Sequence, residues 1–390
     1  MRDVYLIGIG QTDVTKDGVI RGRYIAKAAI EKALEHAGLE PHEIGMLVVG
    51  NMMSGILASQ QQMGALIADV AGMRGIEAAT VEAGCASGAA AARWGYTAVA
   101  SGLHDTVLVC GIERMTHAPK EDVTAALSTA ADWQLEGIHN HSFVSLNAKI
   151  MKLYMETYRI QPETFAHFSI NAHTNGLNNP HAFLKKHVDM DVYMGSKILN
   201  APIRLFDAPP VCDGSAAIVL ATEAVARAAH RQGLPLIRIK GSAIGTDCLA
   251  LDRRVDPLEL QAARLSTQRA LQQAGISIDD LDLFELHDAY TIITSLSLEA
   301  AGFAEKGRGV YFGLDGAIGR DGKLPISTMG GLKSRGHPVG ATGVYQMVET
   351  YMQMTGTAGA NQIPDVDLAM VQNIGGTGAT VVTHVMERVQ

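Results

Sequence analysis

KALEHAGLEPHEIGMLVVGN, residues 32–51, is the stretch that decides the fold of this chain, because RALQQAGISIDDLDLFELHD, residues 269–288, repeats its pattern. In both copies a helical run ends at a glycine, Gly38 or Gly275, and an apolar strand follows. A second echo pairs CASG, residues 85–88, with GATG, residues 340–343, and each opens a predicted helix. Two matches in the same order indicate a duplicated βα unit, which favours sheets covered by helices.

The length of 390 residues is enough for two folding units. Because strands and helices alternate at both ends of the sequence, we predict an N-terminal half over residues 1–235 and a C-terminal half over residues 236–390. A different region lies between them, roughly residues 114–233, and it holds most of the histidines and many Met and Asn residues. We interpret this region as a loop domain inserted into the first half, where it covers a site.

Charge and cysteine usage exclude several classes of function. The net charge is −8 and there is no dense run of Lys or Arg, which argues against a nucleic-acid or polybasic membrane role. The four cysteines are scattered and form no Cys-x-x-Cys pair, so we expect a reducing compartment, no disulfide framework and no zinc site. Residues 1–10 read as a strand and not as a signal peptide, and no apolar run is long enough to span a bilayer. We therefore expect a cytoplasmic protein.

Cys85 is the first candidate for chemistry. It lies in EAGCASG, residues 82–88, between a predicted strand over residues 76–81 and a helix rich in small residues. The unpaired N–H groups and the dipole at a helix N-terminus favour a thiolate, which is the reactive form of cysteine. The alternative reading, a small buried core residue, stays open on this segment alone.

Three further segments carry groups that could act on a substrate. His287 ends an apolar strand in LFELHDAY, residues 283–290, and polar groups at such strand ends often build sites in α/β sheets, although a structural histidine is the alternative. His337 lies in GGLKSRGHPVGATG, residues 330–343, whose glycines imply tight bends that present the ring. VQNIGGTG, residues 371–378, reads as a strand that ends in an anion-binding turn, and no Lys-Ser/Thr pair follows as a phosphate loop requires.

Together these segments resemble the thiolase family over essentially the whole chain and in the right order. GCASG at 84–88 matches the nucleophile motif of the family, and GHPVGATG at 336–343 matches its specific Gly-His-Pro-x-Gly signature. HDAY at 287–290 replaces the Asn-Glu-Ala-Phe of many thiolases, and NIGG at 373–376 replaces their Cys-x-Gly-Gly, as in the sterol-carrier-type and archaeal branch. The resemblance implies the layered α/β/α/β/α thiolase fold, with duplicated βα halves and an inserted loop domain.

The resemblance also implies a mechanism. Cys85 would attack an acyl-CoA thioester and hold the acyl group, and His337 would take the thiol proton. The backbone N–H groups of Cys85 and Gly375 would form one oxyanion hole, and His337 with His287 would bind the second thioester oxygen.

Further residues are implied as substrate contacts: Ser242, by family position, on the pantetheine arm, and Asn373 and Gly376 at the glycine-rich turn. Coenzyme A would be a substrate, with no permanently bound cofactor and no metal. His139 and His141 form a His-x-His pair without a third plausible ligand, so we do not expect a metal there.

One departure from the family pattern stands out. Asn373 occupies the position of the second catalytic cysteine, and Ala289 occupies the position of the cysteine that the sterol-carrier branch uses instead. Neither residue can carry a proton, so Tyr290 and Tyr345 are the first candidates for that step. His139 and His141 of the inserted region are further candidates, and packing or loop surface is the alternative for all four. A tyrosine with its usual pKa of about 10 would act as an acid or would need its pKa lowered.

Three readings of function follow. The first is an acyl-CoA acyltransferase of lipid metabolism, either an acetyl-CoA acetyltransferase or a 3-oxoacyl-CoA thiolase. The second is a thiolase-like aldolase or carbon acyltransferase that uses Tyr290 and Tyr345. The third is a partner-dependent subunit that works with a small accessory protein containing a zinc ribbon and an OB-fold. The family resemblance also implies a homodimer, in some members paired into a tetramer.

Overall fold

The computed structural model describes residues 1–229 and 234–389. Its strands are β1 (Val4–Gln11), β2 (Met46–Gly50), β3 (Glu77–Val81), β4 (Thr106–Glu113), β5 (Ile198–Asn200), β6 (Ile203–Arg204), β7 (Gly214–Thr222), β8 (Leu236–Thr246), β9 (Leu283–Glu285), β10 (Leu368–Gly375) and β11 (Thr380–Val389). Its α-helices are α1 (Gly22–Ala37), α2 (Ser54–Leu57), α3 (Met63–Val70), α4 (Ser87–Ser101), α5 (Lys120–Ser128), α6 (Phe143–Tyr158), α7 (Ala166–Gly176), α8 (Met190–Met194), α9 (Glu223–Ala228), α10 (Gln261–Ala274), α11 (Thr291–Ala301), α12 (Tyr311–Leu314) and α13 (Thr342–Met354).

Nine of these strands form one mixed sheet in the order β3-β2-β4-β7-β1-β8-β11-β10-β9. A short antiparallel pairing of β1 with β8, at Leu6 and Ile237, joins the strands of the first half to those of the second. Helices α4 and α13 pack against each other and against strands of both halves, while α1 covers β1 and α10 covers β8 and β11 on the outside. The helices therefore form a central pair and two outer layers, and the predicted layered α/β fold is confirmed.

The duplication that the sequence indicated is visible in the backbone. Helices α1 and α10 each end at a glycine in the left-handed region, Gly38 with φ +68° and Gly275 with φ +67°. A single turn of 3-10 helix follows in each copy, over Pro41–Glu43 and over Ile278–Asp280, before the strand begins. The apolar strand that the sequence predicts after Gly38 therefore starts only at Met46, because the chain first completes this turn.

Helices α4 and α13 can pack closely because glycines lie where they meet. A Cβ atom at Gly88 would stand 2.9 Å from the carbonyl oxygen of Gly340, and one at Gly343 would stand 2.3 Å from the amide nitrogen of Ala89. Both distances are too short for a side chain. The second repeat in the sequence, CASG and GATG, therefore supplies the glycines that this close contact between the helices requires. This contact brings the two motif loops of the halves side by side.

The inserted region needs one correction. It contains α5 to α8 and the small β5–β6 sheet, as expected for a loop domain. However, β7 lies between β4 and β1 in the large sheet, so the insertion ends before Gly214 and not near residue 233. Residues 230–233 lie outside the described residues. The division into halves at residues 235 and 236 stays a prediction.

Candidate active site

Cys85 lies in the turn between β3 and α4, as the sequence predicted. Gly84 adopts the left-handed conformation with φ +59°, and the buried Ser87 hydroxyl donates to the Gly84 carbonyl oxygen at 2.5 Å. The same hydroxyl oxygen accepts the Ala83 N–H at 3.0 Å. These bonds fix the turn, and they place the Cys85 sulfur on the wall of a cavity of about 220 Å³.

The cavity collects residues from both halves and from the insertion. Among the predicted site residues it is lined by Cys85, His287, Tyr290, His337 and Gly376. The remaining wall comes from Met115, Lys120, Thr124, Leu127, Ser142, Phe143, Val144, Asn147, Leu199, Ala208, Pro209, Pro210, Val211, Ala289, Ile293, Val339 and Ile374. The sequence indicated that the insertion covers a site, but the residues of the insertion carry no motif, so it did not indicate which of them line the cavity.

The two histidines meet edge to face, with ring centroids 5.1 Å apart and an interplanar angle of 81°. His337 Nδ1 lies 2.7 Å from Thr342 Oγ1, and that hydroxyl donates to the Pro338 carbonyl oxygen at 3.2 Å. Because the hydroxyl proton is directed to the carbonyl, its oxygen accepts the proton of Nδ1, which leaves Nε2 of His337 as the unprotonated nitrogen. The His337 N–H also donates to Cys212 Sγ at 3.1 Å, which helps to fix the backbone of this loop.

His287 has the opposite tautomer. The side-chain amide nitrogen of Asn373 lies 2.9 Å from His287 Nδ1 and donates to it, so the ring proton belongs on Nε2. The site thus pairs one histidine that can accept a proton with one that can donate a hydrogen bond. Burial, with the positive charges of Lys333 and Arg335, lowers the pKa of His287 to about 3. Burial, with His287 and Arg335, lowers the pKa of His337 well below its usual value. Both rings are therefore neutral at pH 7.

The state of the Cys85 thiol corrects the sequence-based expectation. Burial and the nearby Glu113 carboxylate raise the pKa of Cys85 to about 12, despite the opposing effect of the N–H groups of Cys85 and Gly376. The helix N-terminus does not outweigh the desolvation of the charge, so the thiol is protonated at pH 7 in the free protein. From the glycine-rich turn, the N–H group of Gly376 acts on the Cys85 sulfur, and the role of the Gly375 N–H in an oxyanion hole stays a prediction.

Glu113 is a site residue that the sequence reasoning missed. It ends β4 with no exposed surface, and its Oε2 accepts from the N–H groups of Met52 at 2.9 Å and Gly340 at 3.2 Å. Its Oε1 accepts from Asn51 Nδ2 at 3.0 Å and from the Met53 N–H at 3.3 Å. Glu113 therefore ties the loop after β2 to the loop that follows His337. An acidic residue that closes an otherwise apolar strand was the available signal.

Buried charged side chains fix the conformation of the loop that precedes His337. Asp288 accepts the Leu332 N–H at 2.7 Å, and the Lys333 ammonium contacts the Asp288 carbonyl oxygen and lies 3.6 Å from its carboxylate. Arg335 and Glu349 are fully buried and 3.0 Å apart. Removing one partner of such a pair leaves an uncompensated charge, so these contacts hold the loop in one conformation.

Four predicted site residues are not among the described residues that line the cavity: Tyr345, Ser242, Asn373 and Gly375. The Tyr345 hydroxyl donates to the Thr12 carbonyl oxygen at 3.0 Å, and the ring lies under the Arg335 guanidinium, so Tyr345 is not placed to move a proton for a substrate. Ser242 is buried in the middle of β8, opposite His384 of β11, and cannot contact a pantetheine arm there. The assignments of Tyr345 and Ser242 are corrected. Tyr290 does line the cavity, and burial, with the Cys85 charge, raises the pKa of its hydroxyl, so it remains protonated.

Within residues 1–229 and 234–389, no three His, Cys, Asp or Glu side chains gather into a group that could hold a metal ion. Over the same part of the chain, no helix combines the length and apolar character needed to cross a membrane.

Most of the chain is similar to known proteins. Residues 4–198 match the model of the thiolase N-terminal domain, and residues 243–388 match that of the thiolase C-terminal domain-like family. The chain is 38% identical over 388 residues to the acetyl-CoA acetyltransferase of Methanothermobacter thermautotrophicus, covering 100% of both proteins. It is 29% identical to sterol carrier protein 2 of Bos taurus, covering 97% of this chain and 71% of that protein. Among solved structures, an Ltp2–ChsH2(DUF35) aldolase shares its fold with a TM-score of 0.87 at 21% identity, covering 99% of this chain and 98% of that one.

Proposed function

Because this chain belongs to the thiolase family and is an acyltransferase, we propose that it transfers acyl groups from acyl-CoA through an acyl-enzyme on Cys85. One observation carries the proposal: Cys85 and the two neutral histidines, with opposite tautomers, line a single cavity. A nucleophile, a base and a hydrogen-bond donor are the groups that acyl transfer needs.

The first half-reaction uses His337 as the base. Its unprotonated Nε2 takes the thiol proton of Cys85 as the sulfur attacks the thioester carbonyl carbon. The N–H groups of Cys85 and Gly376 stabilise the negative oxygen of the tetrahedral intermediate. The C–S bond to coenzyme A then breaks, the proton on His337 passes to the leaving thiolate, and the acyl group remains on Cys85. Free coenzyme A is the product of this step and not a resident cofactor.

The second half-reaction forms or breaks a carbon–carbon bond. His287 Nε2–H donates to the thioester oxygen of the second substrate. This hydrogen bond stabilises the enolate in which that oxygen carries the negative charge. Cys85 is the only cysteine among the described residues that line the cavity, and Tyr290 is the only tyrosine. In thiolysis, the Tyr290 hydroxyl donates the proton that the α-carbon gains when the carbon–carbon bond breaks, and the thiol of the attacking coenzyme A returns a proton to the Tyr290 oxygen. Condensation runs the same steps in reverse.

The test is direct labelling. After incubation with acetyl-CoA, mass spectrometry of the digested protein should find the acetyl group on Cys85. Acetoacetyl-CoA with coenzyme A should yield acetyl-CoA. Replacing the base, His337→Ala, should slow acylation by about 10²–10⁴. A Cys85→Ala variant that kept full thiolysis would overturn the proposal, and Cys110→Ala, a change at a buried cysteine of β4, is the matched control.

A second candidate function is a thiolase-like aldolase or carbon acyltransferase. The observation in its favour is the combination of Asn373, which replaces a cysteine, with Tyr290 in the cavity. The aldolase that shares this fold adds support at the level of architecture alone. Aldol cleavage needs no acyl-enzyme, so an acyl group trapped on Cys85 decides against the aldolase.

The assembly state is part of the proposal. Strand β3 is the edge of the large sheet, and three of its five residues are exposed, including Ala79 and Thr80. Apart from Glu77 at its start, this exposed edge strand carries no charge. Such an edge invites pairing with another strand, and we assign it to a second copy of the chain. The solved aldolase is named as an assembly of two proteins, Ltp2 and ChsH2(DUF35), which supports a small accessory partner here too. Activity of the purified chain alone, at the level of a complete thiolase, would exclude an obligatory partner.

A further inference from the structure

The cavity extends well beyond the catalytic groups. Much of its wall comes from the inserted region, through Leu127 on α5, Phe143 and Val144 on α6, and Pro210 before β7. Ile293 on α11, which is 4% exposed, completes the apolar part. Most of the lining comes from the insertion, while Ala289, Val339 and Ile374 of the motif loops add apolar surface near the catalytic groups. The insertion can therefore set which acyl group reaches Cys85.

The size of the cavity sets a lower limit on the group that fills it. An apolar cavity of about 150 Å³ takes up a ring of six carbons such as benzene, and this one measures about 220 Å³. An acetyl group would leave most of the apolar wall facing water or empty space. An occupant that displaces this water gains the hydrophobic free energy of the contact.

The chemistry of the wall excludes charged acyl groups. No carboxylate is among the described residues that line the cavity, and the one ammonium group, that of Lys120, belongs to an exposed side chain. A charged acyl terminus would lose its hydration against Leu127, Phe143 and Val144 without gaining a buried partner. The walls therefore suit a neutral hydrocarbon chain.

We propose that the acyl group selected by this site is an unbranched or branched apolar chain of about six carbons, and not acetyl. This inference rests on the proposed function, because it concerns the acyl group that Cys85 would carry. Each methylene buried against the wall contributes about 0.8 kcal/mol, which corresponds to about fourfold in the acylation specificity constant. The gain stops when the chain has filled the cavity.

The experiment measures acylation of Cys85 by mass spectrometry with straight-chain acyl-CoAs from acetyl to decanoyl. We expect the specificity constant to rise at least tenfold from acetyl-CoA to hexanoyl-CoA and to fall for longer chains. In Val144→Trp, where the indole takes up cavity space, the hexanoyl-to-acetyl ratio should fall at least tenfold. Leu153→Trp is the matched control, because Leu153 lies on the same helix with an exposed side chain outside the cavity.

Two results would overturn the inference. One is an acetyl-CoA specificity constant equal to or above that of hexanoyl-CoA. The other is an equal loss for both substrates in Val144→Trp, which would mean that the wall holds the coenzyme A arm. If no acyl-CoA labels Cys85, the proposed function fails. Calorimetric binding of the same acyl-CoAs to Cys85→Ala then decides the inference, since an affinity independent of chain length contradicts it.

Discussion

The side-chain amide nitrogen of Asn373 lies 2.9 Å from Nδ1 of His287 and fixes which nitrogen of that ring carries the proton. The other terminal atom, Oδ1, is directed at the Cα of Gly343, where a Cβ would stand only 2.5 Å away. An amide can donate to an unprotonated Nδ1, so His287 presents Nε2–H to a substrate. Asn373 thus holds the position of a catalytic cysteine but acts through its neighbour.

Asn373→Leu should separate the two half-reactions. The leucine cannot donate to Nδ1, so the His287 tautomer is no longer fixed and the hydrogen bond to the enolate oxygen weakens. We expect carbon–carbon bond formation to slow by about 10²–10³, as for loss of one oxyanion donor, with Cys85 acetylation within threefold. Nitrogen-15 NMR of His287 should show the Nε2–H tautomer in the native protein. Equal losses in both half-reactions would contradict this role.

Removal of the Tyr290 hydroxyl tests its role as the acid, and removal of the Tyr345 hydroxyl is the matched control. Tyr290→Phe should slow thiolysis of acetoacetyl-CoA by at least about 10² while Cys85 acetylation changes little, because the cavity loses its acid. Tyr345→Phe should leave thiolysis unchanged, because that hydroxyl bonds to the Thr12 carbonyl oxygen. It should lower the free energy of unfolding by about 1 kcal/mol, measured in urea. Unchanged thiolysis in Tyr290→Phe would remove Tyr290 from the mechanism.

The protonated thiol of Cys85 predicts a simple pH dependence of alkylation. Since its pKa is raised to about 12, the thiolate fraction grows with pH across the neutral range. The rate of reaction with iodoacetamide should therefore rise about tenfold per pH unit from pH 7 to pH 10. Cys248→Ser provides the background, because Cys248 is the exposed cysteine and would mask the signal. A plateau by pH 8 would indicate a preformed thiolate–imidazolium pair instead.

Glu113 should contribute to stability in a pH-dependent way. Glu113→Gln can place an amide group where Oε2 accepts the backbone N–H groups of Met52 and Gly340, and it should lower the free energy of unfolding by at least about 2 kcal/mol. Burial raises the pKa of Glu113 to about 7, so between about pH 4.5 and pH 7 the folded state binds more protons than the unfolded state. Native stability therefore falls as pH rises through this window, by up to about 3 kcal/mol from this group.

The variant has no titratable group at this position. The difference in the free energy of unfolding between the native protein and Glu113→Gln should therefore shrink from pH 5 to pH 8. Urea unfolding at the two pH values measures it. Glu121→Gln on the exposed surface of α5 is the control. A difference that does not change with pH would show that Glu113 does not titrate there.

The exposed edge of the sheet predicts a dimer. Ala79→Lys places a charge on the outer edge of β3 and should shift the protein toward monomer, because lysine blocks pairing between edge strands. Sedimentation velocity at several concentrations measures the shift. Ala224→Lys adds the same charge at an exposed position on α9 and should not change the sedimentation coefficient. A native protein that stays monomeric at high concentration would refute the assignment.

The sequence correctly predicted the features that depend on short segments of the chain alone. Helix ends marked by Gly38 and Gly275 fall where the sequence placed them, because a left-handed residue is a local requirement. Local patterns of the same kind predicted three further features: the duplicated halves, the turn that holds Cys85 and the presence of His337 in the site. The sequence could not indicate that Tyr345 points away, since the direction of a helical side chain depends on the partner helix.

The amino-acid sequence by itself therefore determined the layered fold, the family and the place of the proposed nucleophile, since glycine positions and strand periodicity are properties of short segments. Only the tertiary structure decided the chemistry around that nucleophile. Burial from several segments sets the protonation of Cys85 and of both histidines, and contacts across more than 80 residues set the His287 tautomer through Asn373. Desolvation depends on every atom that packs nearby, and that is a property of the assembled fold and not of any motif.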